Sequence, residues 1–345
     1  MILVNPLNFI TFYHSSGSVS SCATHKNTPF KFLHSQGTHQ RNHIGGQPLK
    51  GSHYNLKKRD PFKLFQSLSS SRVESNKEEE EAELQLVASF KSRFNDIMIV
   101  DTAESRLLLL DTTYNIHSIF NKGEKWTGCY WEPESNLFIL QDEFASLPAV
   151  VPNGPIAIFG LAGGTAAHLM LDLWPSLQLE GWEIDEILID KARVYLGLSD
   201  LEKHTKDGGI VHVHVGDAFA ASIPGGYAGI VVDLFSNGKV LPEMHECGTW
   251  LEMKDKLMPN GRIMVNCGGS DVGAPVSDES SWEQNSTIKA LCQAFPGEVS
   301  WKKLVNEGEN YLALTGPLPD LNTWSTDLPD QLSSNVMQWK SCCPS

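Results

Sequence analysis

The 345-residue chain has no C-x-x-C pair, and its seven cysteines, Cys22, Cys129, Cys247, Cys267, Cys292, Cys342 and Cys343, are odd in number and scattered. That excludes a zinc ribbon and a disulfide framework, and no metal is expected. The adjacent Cys342 and Cys343 read either as a redox-active pair or as two incidental thiols near a terminus. No run of about 18 apolar residues occurs, so no membrane span is expected. Basic residues are too few for a general nucleic-acid binder: 27 Lys and Arg stand against 41 Asp and Glu, a net charge of -14. The strand-to-helix turn discussed below lacks G-x-G-x-x-G, which argues against a nicotinamide dehydrogenase.

Acids are also missing from one stretch. Residues 1–73 hold nine Lys and Arg but a single acid, Asp60. This head is rich in Ser and carries six of the twelve His, without helical or strand periodicity. Such composition reads as an organelle transit peptide, plastid ahead of mitochondrion because Ser outnumbers Arg; the plainer alternative is a tail with no address. Residues 74–95 begin with an acidic run, and Leu84, Leu86, Val87, Phe90 and Phe94 partly fit a helix face, so this segment is expected to be a helical linker.

What is present begins at residue 96. "DIMIV", "RLLLLD", "NIHSIF", "GCYWEP" and "NLFILQ" are short apolar or alternating runs between polar turns. They predict a small antiparallel β-domain over 96–150. From 151 to 316 the rhythm changes to strand, helix, strand. Strands are expected at 156–160, 178–184, 210–216, 228–235 and 261–267. Helices are expected at 164–173, 186–197, about 242–258 and 283–294. The first strands are almost wholly apolar, as in a parallel sheet covered on both faces. "EVSWKKLV" and "NYLALTG", with Gly308 between them, predict a closing antiparallel hairpin. Residues 317–345, a Pro-rich tail, are expected to lie over the surface.

Ligands of such sheets bind outside the carboxyl ends of the strands. After the first strand come Gly160, Gly163 and Gly164, which serve either close approach to a ligand or helix packing. After the second comes Glu183, placed to accept from ribose hydroxyls, with Asp185 better suited to cap the next helix. After the third comes Asp217, followed by Ala218 and Phe219. It is either a turn former or an acceptor for the amine of a base. After the fourth comes Asp233, either a backbone cap or a carboxylate that holds or deprotonates an amine. His212 and His214 read as strand histidines rather than ligands, and His245, in the region that would cover the site, is either an ordinary surface residue or one that lines the pocket.

Together "IAIFGLAGGT", "LEGWEIDEILIDKAR", "VHVGDAF", "YAGIVVDLF" and "LMPNGRIMVN" resemble the spermidine synthase-like branch of the class I S-adenosylmethionine-dependent methyltransferase superfamily. The resemblance spans about residues 96–316. It implies an α/β fold: a Rossmann-like seven-stranded sheet with an antiparallel C-terminal hairpin, preceded by a small N-terminal β-domain. It implies a transferase that binds S-adenosylmethionine or its decarboxylated form, with Glu183 on the ribose, Asp217 on the adenine amine and Asp233 as catalytic acid. The substrate would be a small molecule such as an amine, and a homo-oligomer through the β-domain is compatible with it. The departures bear on the reaction. Gly163 stands where aminopropyltransferases carry an Asp for the aminopropyl ammonium, and Ser236 stands where they carry a second acid. The segment 140–155 keeps Asp142 and Glu143 but lacks the Tyr-His-Glu cluster. Two ammonium groups are costly to desolvate without paired carboxylates. The expected reactions are therefore methyl transfer or a polyamine-type group transfer. The alternative is a non-catalytic binding or assembly protein that keeps the fold.

Overall fold

The computed structural model describes residues 84–110, 116–123, 141–269, 281–304 and 310–342. The expected transit peptide, the acidic run before residue 84 and the strands expected in "GCYWEP" and "NLFILQ" lie outside these, apart from Gln141. So does most of the loop after residue 269.

Four strands open the described chain: β1 (Gln85–Lys91), β2 (Asp96–Asp101), β3 (Ser105–Leu109) and β4 (Ile116–Asn121). They form an antiparallel meander in the order β1-β2-β3-β4. The first corrects the expected helical linker. Leu86, Ala88 and Phe90 alternate with exposed Gln85, Val87, Ser89 and Lys91. Phe90 pairs with Ile97 across the ladder. A short apolar run fits either period, and here pairing with β2, whose Ile97 and Ile99 are buried, selects the strand.

The second layer set follows: β5 (Ile156–Phe159), α1 (Thr165–Leu173), β6 (Gln178–Glu183), α2 (Glu186–Tyr195), β7 (Ile210–Val215) and β8 (Tyr227–Val232). A two-residue ladder joins β9 (Phe235–Ser236) to β10 (Lys239–Val240), and α3 (Cys247–Lys254) leads to β11 (Leu257–Asn266). Then come α4 (Ser286–Ala294), β12 (Val299–Leu304), β13 (Asn310–Thr315), α5 (Leu321–Thr326), α6 (Asp330–Val336) and β14 (Lys340–Ser341). The sheet order is β14-β12-β13-β11-β8-β5-β6-β7, parallel from β11 to β7 and antiparallel beyond it.

Strand β5 shows why helices cover both faces. Ile156 and Ile158 point into one cluster with Leu169, Met170, Leu188 and Ile189 of α1 and α2. Ala157 and Phe159 point into another with Trp250, Met253, Ile288 and Leu291 of α3 and α4. Neither side of β5 meets water, so both must be apolar. Asp185 caps α2 by accepting from Leu188 N at 3.2 Å, as its position in the sequence suggested.

Among the described residues the seven expected strands are all present, and two-residue β14 adds an eighth at the edge of β12. One expectation is corrected at the C-terminus. The segment 317–342 contributes to the core rather than only covering the surface: Trp324, Leu332, Val336 and Trp339 are buried in the first cluster. Prolines 317, 319 and 329 punctuate the segment, but two short helices fit between them, with Asp320 capping α5 at 2.8 Å from Thr323 N. The indole N–H of Trp324 donates to Ser146 O at 3.1 Å, tying the chain end to the segment ahead of β5.

Candidate functional site

The carboxyl ends of β5, β6 and β8 lie side by side, with Phe159 opposite Trp182 on one flank and Val232 on the other. The chain leaves β5 through residues 160–164. Gly164 has φ of +86° and sits at the N-cap of α1, where a side chain would be strained. Gly163 is held for a different reason. A Cβ there would fall 2.6 Å from Leu196 Cδ1 and 2.7 Å from Ser118 Cβ. Ser118 lies on β4, and its hydroxyl accepts from Gly163 N at 2.9 Å. One residue on, Ile119 N donates to Thr165 Oγ1 at 2.9 Å, and that hydroxyl donates back to Ile119 O at 3.1 Å. The N-terminal sheet is thus fastened to the glycine turn. An Asp at 163 has no room while β4 lies there.

Glu183 ends β6 with 0% exposure. Its Oε2 accepts from Ala162 N at 3.1 Å, and its Oε1 from Ile184 N at 3.0 Å and Asp185 N at 3.1 Å. Burial pushes its carboxyl up to about 7, against the pull of these backbone donors. Oε1 thereby uses both its lone pairs, while Oε2 keeps one toward a hydroxyl. Asp185 is bound in turn to the N-terminal sheet side, accepting from Asn95 Nδ2 at 2.7 Å and from Ser92 Oγ.

Asp217 stands apart from this buried pair. Gly216 N donates to Glu183 O at 2.8 Å, so Asp217 begins near Glu183, yet its side chain is exposed. Its Oδ1 accepts from Phe219 N at 2.9 Å and caps the 3-10 turn Ala218–Ala220. Ala218 is buried in the second cluster and offers no open surface. The turn-forming reading of Asp217 is the one this geometry displays.

Asp233 closes β8 with 2% exposure. Its backbone N donates to Phe159 O at 2.9 Å, which sets it beside Gly160. Gln141 Nε2 donates to its Oδ2 at 2.7 Å and Asn266 Nδ2 to its Oδ1 at 2.9 Å. Both oxygens are therefore fixed by neutral amides, each leaving one lone pair for a further donor. Asn266 also accepts from Gly268 N at 3.1 Å, which locks its amide the right way round. Gln141 and Asn266 were missed in the sequence. Asn266 ends an apolar strand as Asp233 does, and the same strand-end rule finds it. Gln141 precedes β5 and carries no such mark.

The two acids beside Gln141 do different work. Glu143 pairs with Lys302 of β12 at 2.6 Å, both fully buried. Asp142 is buried as well. Ser236 is half-buried on β9, and His245 is exposed. His214 stacks on Trp182 with centroids 4.6 Å apart and contacts Glu180 at 2.5 Å, a satisfied strand histidine. Among the described residues no cluster of metal-binding side chains occurs.

No family model matches the chain. A probable polyamine aminopropyl transferase from Bifidobacterium longum is 24% identical over 186 residues, 53% of this chain and 38% of that protein. The chain thus spans well under half the length of this curated relative. The crystal structure of a probable spermidine synthase from Corynebacterium glutamicum superposes with a TM-score of 0.50 at 14% identity, covering 67% of this chain and 80% of that one. A spermidine synthase in complex with the transition-state analogue AdoDATO gives 0.46 at 13% identity, covering 67% and 72%. The chain has a spermidine synthase-like fold and a distant sequence similarity to a probable polyamine aminopropyl transferase.

Proposed function

We propose that the protein is a transferase that uses S-adenosylmethionine to methylate a small nucleophile, with Asp233 facing the acceptor. The observation that carries this reading is Asp233 itself, a buried carboxylate fixed by Gln141 at 2.7 Å and Asn266 at 2.9 Å at the end of β8. Glu183 at the end of β6 and the glycine turn after β5, the strand between β6 and β8, are the groups for the nucleoside. Bound there, the sulfonium would supply an electrophilic carbon. Asp233 accepts a hydrogen bond from the incoming N–H or O–H and takes its proton as the nucleophile attacks. Such a displacement depends on alignment and exclusion of water more than on further acid–base groups.

Methyl rather than aminopropyl transfer is favoured by Gly163. The aminopropyl ammonium needs a carboxylate, and β4 leaves no space for one at that position. A second reading, a binding or assembly module without catalysis, draws on Glu183, whose carboxylate is wholly buried and already bonded to three backbone N–H groups. Titration calorimetry of the full chain with S-adenosylmethionine and with its decarboxylated form separates these readings. Binding of S-adenosylmethionine, weakened at least tenfold in Glu183→Ala, is expected. Binding of neither supports the module, and binding of the decarboxylated form alone restores aminopropyl transfer.

The place of action is proposed from residues 1–73, whose nine basic residues and single acid suit a plastid import sequence. A fluorescent reporter fused behind these residues is expected in plastids; a cytosolic reporter overturns that assignment.

A further inference from the structure

Among the described residues the four thiols, Cys247, Cys267, Cys292 and Cys342, all meet one core cluster. Cys292 lies on α4, half-buried, against the same core cluster that holds Cys267 and Cys342. Cys342 follows edge strand β14, is 5% exposed, and donates its backbone N–H to Val299 O at 2.9 Å. Two pairs, Ser300 with Ser341 and Trp301 with Lys340, hold β14 to β12 and bring Cys342 under α4. The Cys342 thiol hydrogen-bonds the Cys292 sulfur, and that bond is the largest influence holding the Cys292 thiol below its ordinary value. Cys267, by contrast, is pushed well up by burial and stays a thiol.

From this juxtaposition we propose that Cys292 and Cys342 are a reversible dithiol–disulfide pair, with a small disulfide such as oxidised glutathione as the oxidant. Cys292 is the more exposed partner, so it meets the oxidant first. Its thiolate attacks one sulfur of the disulfide, forming a mixed disulfide and releasing one thiolate. Cys342, having given up its proton, attacks the Cys292 sulfur and releases the second. One disulfide is consumed, two small thiols are produced and the two protein sulfurs are joined.

The bond would clamp the last strand of the sheet to α4. That helix is capped by Asn285, whose Oδ1 accepts from Ile288 N at 3.0 Å. Asn285 Nδ2 also donates to Cys267 O at 3.0 Å and Gly269 O at 2.9 Å. The chain just after Asn266 therefore rides on the same helix. Redox state sets how firmly α4 is anchored, whichever reaction the neighbouring site performs.

The test uses the full chain equilibrated across a series of glutathione redox buffers, quenched by alkylation. Titratable thiols of the denatured protein should fall from seven to five. Tryptic peptides 290–302 and 341–345 should become cross-linked. Because the second peptide also holds Cys343, the same mapping is done on Cys343→Ser, which should keep the cross-link, and on Cys342→Ser, which should lose it. The oxidised protein should melt at a higher temperature than the reduced form. A cross-link that survives in Cys342→Ser, one made to Cys267, or stable glutathione adducts with no intramolecular bond would each overturn the proposal. The wild-type peptide map alone decides the last two, so the outcome does not hang on a variant that fails to fold.

Discussion

At the scale of single residues, the site is a set of buried carboxylates with distinct partners. Asp233 is held by two side-chain amides, Glu183 by three backbone N–H groups. The second arrangement has a consequence for stability. Burial raises the Glu183 carboxyl from 4.5 to about 7 in the folded chain. Below pH 4.5 both folded and unfolded chains carry the proton, and this residue gives no pH dependence. Between 4.5 and 7 the unfolded chain loses the proton while the folded chain keeps it. Stability therefore falls as pH rises, by about 3 kcal/mol in all, and levels off above 7. Urea unfolding at intervals from pH 4.5 to 8 should show this decline in the wild type. Glu183→Gln should show a flatter profile, whatever its absolute stability. Equal slopes in the two proteins would mean that Glu183 is ionised throughout.

At the scale of elements, the short segment 141–150 is where remote parts of the chain meet. Its Gln141 reaches Asp233, its Glu143 reaches Lys302 on β12, and its carbonyls at Ala145 and Ser146 accept from Trp174 and Trp324. Asn335 on α6 also acts on Glu143, pulling its carboxyl down. Burial is the largest influence on both members of the Glu143–Lys302 pair, raising the acid and lowering the base, while each opposes the other's shift. Two desolvated charges at 2.6 Å offset each other but strand a partner when one is removed. Lys302→Met should cost about 3–5 kcal/mol. The double change Glu143→Leu with Lys302→Met should recover most of that loss. Chemical denaturation of the two singles and the double closes the cycle, and additive losses would show that the pair is not coupled. Little of this was legible in the sequence. The partners are separated by 92 and 159 residues, and no local pattern joins them. The strand-end acids were legible because the rule that finds them is local: an apolar run stops and a carboxylate follows. Gly163 falls between the two cases. Its departure from the aminopropyltransferase pattern could be read, but the cause, Ser118 on β4, needed the packing of another sheet.

At the scale of the whole molecule, the parallel core, the antiparallel strands β2 to β4 and the closing β12–β13 hairpin were readable, and the outermost segments, β1 and residues 317–342, were not. Strands buried on both faces must be apolar throughout, and that leaves an unambiguous trace in β5 and β8, whose residues are all buried. At the margins, burial is one-sided and short runs fit more than one period, so β1 reads as a helix and the chain after residue 316 reads as surface cover. The latter error has a thermodynamic test. Trp324, Leu332, Val336 and Trp339 are buried in the main cluster, with the two indoles stacked at a centroid distance of 5.9 Å. Each such side chain contributes about 1.5–3 kcal/mol when fully buried. The four together approach the whole stability of an ordinary domain, about 5–15 kcal/mol. A chain ending at residue 316 would also lose β14 and the indole hydrogen bond to Ser146, and it would expose the face of the 141–150 segment that positions Gln141. Such a truncation is expected to give no cooperative thermal transition and to scatter light on expression. A truncated chain that melts cooperatively near the wild-type temperature would return residues 317–345 to the status of a surface tail. The hold of Gln141 on Asp233 would then rest on Glu143 and Lys302 alone.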